Sequence, residues 1–151
     1  MCRAVEVTQR TTVTAPIEEV WRVVSNLPLI LPCVPGAECG ERRGDGQYNA
    51  TITVSAGEFS VSFAGIASVE VVGETVAVFR ASGSDRLRTI SAEAEARVRL
   101  EAIDDARTSV DVVSTFDFSG FLAPAARAGG GPAARVLMRK FTTNLARKFR
   151  D

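Results

Sequence analysis

Residues 90–100, ISAEAEARVRL, decide the fold. Ala92, Ala94, Ala96, Val98 and Leu100 alternate strictly with Glu93, Glu95, Arg97 and Arg99. A period of two puts successive side chains on opposite faces of a β-strand, so the charged set meets water and the apolar set faces inward. The strand built on this stretch is predicted over Thr89–Ile103. Ala37–Arg43, Gln47–Ser55, Glu58–Val72 and Thr75–Ser82 read as strands before it, and Thr108–Phe118 as one after it. Breaks at Gly44–Gly46, near Gly57, at Gly73–Glu74 and at Asp104–Arg107 carry turn chemistry. Strands joined by such short connections form an antiparallel meander, because parallel neighbours need long crossovers.

Towards the N-terminus, Arg3–Val13 reads as one more strand. Pro16 suits the first position of a helix, where its missing N–H costs nothing, and Glu18 and Glu19 then sit at the positive end of the helix dipole. Val20, Trp21, Val23 and Val24 form the buried face of that helix. It should stop near Asn26, since Pro28 disfavours helix in the residue before it. Pro28, Pro32 and Pro35 among Leu29, Ile30, Leu31 and Val34 forbid a long helix and predict a short helical turn in an apolar loop. At the other end, Phe121–Arg127 is alanine-rich and compatible with helix, and Gly129–Pro132 is expected to interrupt it. From Ala133 the spacing predicts an amphipathic helix with Leu137, Met138, Phe141, Leu145 and Phe149 on one face. The expected class is α+β: a curved antiparallel sheet of about seven strands wrapped on a long C-terminal helix, with two short helices after the first strand, in one domain over residues 1–151.

The bulk properties narrow the function. A chain of 151 residues, 46% of them hydrophobic, can bury a core without disulfides or metal. No stretch reaches the ~20 apolar residues of a membrane-spanning helix, and Met1–Thr14 lacks a signal-peptide apolar region, so a cytoplasmic location is expected. Cys2, Cys33 and Cys39 form no C-x-x-C pair, and the chain has no histidine, so neither a disulfide framework nor a metal site is expected. The net charge of zero hides a split: from Phe121 onward seven basic residues face one acid, Asp151. Arg135, Arg139, Lys140 and Arg147 make the expected surface for an anionic membrane face or an acidic partner. Nucleic acid is a poor fit, because no aromatic side chains are interleaved with those cations.

The strand faces point to a cavity. Three consecutive inward alanines on one strand leave space that a well-packed sheet would fill with Leu, Ile or Phe. Either the helix sits closer there or an apolar guest occupies the space, and the run of alanines favours the guest. The expected lining is Ile52, Val54, Val61, Phe63 and Phe79, then Ala92, Ala94 and Ala96, then Ser114, Phe116, Phe118 and Phe121. Leu137, Phe141 and Leu145 complete it from the helix. Ser114 and Asn144 are the polar groups with inward positions, each either orienting a guest or satisfied within the core. General acid–base chemistry would need a tuned group facing that space. Glu93, Glu95, Asp111 and Asp117 have outward parity instead, and no catalytic residue is expected.

The order of strand, helix, proline-rich turn, six antiparallel strands and long helix resembles the helix-grip fold of the START-like (SRPBCC, Bet v 1-like) superfamily. Ala15-Pro16 with Val20-Trp21, then Cys33-Val34-Pro35-Gly36-Ala37-Glu38, Phe63-Ala64-Gly65 and the Phe141, Leu145, Phe149 helix are similar to the CoxG family of carbon monoxide dehydrogenase over almost the whole chain. The resemblance implies a non-catalytic accessory protein of a molybdenum-containing carbon monoxide dehydrogenase-type system. It implies a quinone or lipid in an internal cavity, no required cofactor, and a part in membrane recruitment or electron hand-off at the inner membrane face. The other function this fold hosts is a small-molecule enzyme of the polyketide cyclase/dehydratase type using the same cavity; a buried carboxylate or tyrosine facing the pocket would mark it. Two departures from the family bear on the carry-over. Many relatives continue into a linker and a membrane-seeking tail where this chain ends at Asp151, and the Gly129–Pro132 segment falls where relatives run helical, as either a gate over the cavity or a plain helix break.

Overall fold

A computed structural model of the chain describes residues 5–44, 46–56, 59–87, 90–120 and 123–149, without the side chains of 5, 54–56, 59 and 123–133. Seven strands follow one another as β1 (Val5–Val13), β2 (Ala37–Gly44), β3 (Gln47–Ala56), β4 (Phe59–Val71), β5 (Val76–Ser84), β6 (Ser91–Asp104) and β7 (Arg107–Ser119). They form a single antiparallel sheet in the order β1-β7-β6-β5-β4-β3-β2, so β2 to β7 make a meander and β1 closes beside β7. Between β1 and β2 lie α1 (Ile17–Val24), α2 (Leu27–Ile30) and a 3-10 turn (Leu31–Cys33); α3 (Ala123–Lys148) ends the fold. The expected strands fall within a few residues of these bounds.

Local chemistry explains the entry into the core. Pro16 stands at the N-cap of α1, one residue earlier than expected, and its carbonyl accepts from the N–H groups of Glu19 (3.0 Å) and Val20 (3.1 Å). The Ser25 hydroxyl donates to the Trp21 carbonyl at 2.6 Å as that helix ends. Asn26 then caps α2, where Pro28 occupies the first turn. Val20, Val23 and Val24 are buried and join Val13, Val98, Leu100, Val110, Val112 and Leu145 in the main core. The Thr108 hydroxyl, wholly buried, donates to the Ala15 carbonyl at 2.9 Å and ties the start of β7 to the chain between β1 and α1.

One expectation is corrected. Gly129–Pro132 does not interrupt the C-terminal helix: α3 runs without a break from Ala123 to Lys148. Glycine costs a helix about 1 kcal/mol per residue and an interior proline about 3 kcal/mol, which is why the sequence reads as a break. The following turns offset that cost by burying Ala134, Met138, Phe141, Thr142 and Leu145 against the sheet, and helix, once nucleated by tertiary packing, propagates through weak positions. Pro132 has no N–H to donate, so the bond normally made to the carbonyl of Ala128 is missing inside a continuous helix.

Candidate functional site

The concave face of the sheet carries two rungs of very small residues. On one, Ala94 stands beside Ala81 and Ala81 beside Ala67. On the next, Ala92, Gly83, Gly65 and Ala50 follow across four strands. A Cβ at Gly65 would fall on the backbone carbonyl oxygen of Ser82, and one at Gly83 would lie 2.8 Å from the Ala64 oxygen. These glycines are needed because β4 and β5 approach too closely for a side chain on either. The result is a floor with almost no side-chain height.

Above this floor the structure leaves a cavity of about 150 Å³ with an almost wholly apolar lining. Ala67, Ala81, Ala94 and Ala96 make the floor, and Ile52, Phe79, Val98 and Phe116 stand around it. Leu137, Met138 and Phe141 of α3 cover it, while Leu27, Ile30, Leu31 and Val34 of the proline-rich segment close one side. Ala81 shares the inner face with buried Ala67 yet is itself exposed, so the cavity is open at that end. Ser68, Arg80 and Glu95 also border it; Arg80 Nε pairs with Glu95 at 3.4 Å, with both side chains about half exposed.

The residues expected to line a cavity divide into four groups. Ile52, Phe79, Ala94, Ala96, Ser114, Phe116, Leu137 and Phe141 border the space. Val61, Phe63, Ala92 and Phe118 are instead gathered with Ile52 and Ile90 in a smaller apolar cluster of their own. Leu145, fully buried, belongs to the main core one turn beyond Phe141. Phe121 and the side chain of Val54 lie outside the described residues. The lining from α2 and the turn after it was missed, although its Leu-Pro-Leu-Ile-Leu-Pro pattern already marks an apolar segment too short and proline-rich to be an ordinary core helix. Ala67 and Ala81 were legible from parity, since each sits two residues from an inward Val69 or Phe79.

Both inward polar groups have partners. The Asn144 side-chain amide donates to the Cys33 carbonyl at 2.9 Å and ties α3 to the 3-10 turn. The Ser114 hydroxyl, 1% exposed and on the cavity lining, donates to the Met138 Sδ at 3.6 Å. A thioether is a weak acceptor, so this hydroxyl recovers little of the roughly 1–3 kcal/mol its burial costs. The carboxylates lie elsewhere: Asp111 pairs with Arg10, Asp117 accepts from the Phe118 N–H at 2.9 Å, and Glu93 and Glu95 are exposed. Burial pushes the Cys33 thiol up, with Lys148 opposing in part, and burial raises Cys39 as well. Among the described residues no three His, Cys, Asp or Glu side chains are grouped to hold a metal ion. Arg135, Arg139, Lys140 and Arg147 are all exposed on α3, and among the described residues no helix is long and apolar enough to cross a membrane.

Comparison with known families gives one match, to the model of the carbon monoxide dehydrogenase protein CoxG, over residues 10–150. The chain belongs to the CoxG family. Its solved structural neighbours place the CoxG chain in the START-like superfamily. A conserved protein from Geobacillus kaustophilus superposes with a TM-score of 0.80 at 17% identity, covering 95% of this chain and 94% of that one. A START superfamily protein from Mycobacterium smegmatis gives 0.65 at 17% identity, covering 95% and 96%. The Zhui aromatase/cyclase from Streptomcyes sp. R1128 gives 0.61 at 16% identity, covering 98% and 97%. At such identities the likeness is one of fold, which for this CoxG chain is the helix-grip arrangement of a curved sheet around α3. No match was found among proteins with curated descriptions.

Proposed function

We propose that this chain is a ligand-holding accessory protein of a carbon monoxide dehydrogenase-type enzyme, with an isoprenoid quinone or a lipid carried in the cavity under α3. The observation that carries the reading is the Ala/Gly floor: five strands contribute to a concave face on which space is left open and apolar. Ligand sites are concave and mostly apolar, and usually hold about 300–1,000 Å³. The space of about 150 Å³ therefore takes a ring or a few chain carbons, and the rest of a long molecule leaves past Ala81. Membership of the CoxG family supports the enzyme partner. The exposed Arg135, Arg139, Lys140 and Arg147 supply a surface for an anionic membrane face or an acidic patch on that enzyme.

The cyclase reading would place an acid or base against the substrate. The ionisable side chains described at the cavity border are Arg80 and Glu95, which are half exposed and paired with each other, and this favours holding over catalysis. The test is extraction of the purified protein with organic solvent followed by mass spectrometry. A stoichiometric isoprenoid quinone or lipid is the expected result. Empty protein that also fails to take up added quinone or lipid would remove the carrier reading and leave an adaptor that acts through its surface alone.

A further inference from the structure

We infer that Ser114 is the recognition point of the cavity, donating its hydroxyl hydrogen to an oxygen acceptor, a carbonyl or ether, on an otherwise apolar ligand. The inference rests on the reading that the cavity holds an apolar guest, and adds what that guest must carry. Ser114 lies on β7 between Val7 of β1 and Ala96 of β6, and Phe79 follows on the same rung. Every other residue named on that rung is apolar, and alanine, which stands beside it at Ala96, would fill the same space. Packing therefore asks for no hydroxyl here.

The hydroxyl is nevertheless buried to 1% exposure and borders the cavity. Among the described residues its hydrogen-bond partner is the Met138 sulfur at 3.6 Å, a weak acceptor that leaves the donor poorly satisfied. Met138 is itself on the lining, and an unbranched thioether side chain repacks readily. An incoming oxygen acceptor displaces the sulfur and gives Ser114 a full-strength bond in a dry setting, where such bonds discriminate best. A hydrocarbon of the same shape leaves the serine with its sulfur and gains only burial.

A space of about 150 Å³ accepts a single substituted ring, which allows a matched pair of probes: acetophenone and α-methylstyrene, alike in shape and differing as C=O against C=CH2. Binding of each to the full chain and to Ser114→Ala is read by NMR titration, with the carbonyl stretch of bound acetophenone read by infrared difference. Loss of one ordinary hydrogen bond predicts that Ser114→Ala weakens acetophenone by about fivefold and changes α-methylstyrene by less than about twofold. The bound carbonyl stretch should lie lower in the wild type than in the variant. Equal effects on both probes, or an unshifted stretch, would overturn the role of Ser114 while leaving the cavity intact. Failure of both probes to bind the wild type would overturn the cavity reading, and this inference with it.

Discussion

Strand β6 treats the two ends of one concave face differently. Val98 and Leu100 are 1% and 2% exposed, paired with Val112 and Val110 of β7 and packed in one core with Val20 and Val24 of α1 and Leu145 of α3. Four to eight residues earlier the same alternation offers Ala96, Ala94 and Ala92, and the strands beside it answer with Ala81, Gly83, Ala67 and Gly65. The backbone register is continuous from one end to the other, so only side-chain volume changes. Branched side chains at close-packed density hold the fold together at the first end; their withdrawal at the second leaves a space that the fold does not need to fill. Stability and binding are thus separated along the length of single strands.

The largest effect that would break this comparison is expected at the filled end. Leu145→Ala removes a fully buried side chain from the main core and should cost about 3 kcal/mol in urea unfolding; a loss below ~1 kcal/mol would mean that this end is not the stabilising one. Gly65→Ala comes next, at about 2 kcal/mol, because its methyl group meets the Ser82 carbonyl and the Gly83 backbone, neither of which can swing aside. A neutral result would show that the floor is low by composition and not by close approach of its strands. Ala94→Leu should change stability by less than ~1 kcal/mol, since the added carbons enter existing space, yet it should abolish uptake of an apolar fluorescent probe. Retained uptake would move the binding site elsewhere.

The smallest effect sharpens the contrast through the thiols. Cys33 is buried in the main core beside α3, whereas Cys39 pairs with Ala50 on the rung that also holds Gly65 and Gly83. Peptide mapping after iodoacetamide treatment should show Cys39 modified well before Cys33, since it is the more exposed of the two. Both thiols are raised by burial, so the rates should keep climbing past the pH at which an ordinary cysteine levels off. The sign for stability follows: the protonated Cys33 thiol is favoured in the folded state, so its contribution is full below the ordinary thiol range and is lost as pH rises through the elevated folded value. Equal labelling of the two cysteines would remove the difference in protection between the two ends.

Strict alternation made the sheet readable. Glu93, Glu95, Arg97 and Arg99 can lie only on the wet face, and that one constraint orders Ala92 through Leu100 without any knowledge of partners. Register between strands has no such signal, so the neighbours of Ala94 and Gly65, and with them the shape of the floor, emerge only in three dimensions. The wall from Leu27 to Val34 was similarly hidden, because short proline-rich segments have no period from which a face can be read. The helical path through Gly129–Pro132 was misjudged for the opposite reason: local propensity was legible and was overruled by burial further along α3. Phe63 and Leu145 have the right parity for a lining but are claimed by other contacts, which parity alone does not resolve.

The bond from Asn144 to the Cys33 carbonyl has a mechanical consequence. It fastens the roof of the cavity, α3, to the turn that continues from its side wall, at a point close to Val34. Any displacement of the C-terminal half of α3 must stretch that 2.9 Å link or drag the turn along. Roof and wall are therefore geared together, and a guest that pushes on Leu31 or Val34 exerts leverage on the same helix whose outer face carries Arg139 and Arg147.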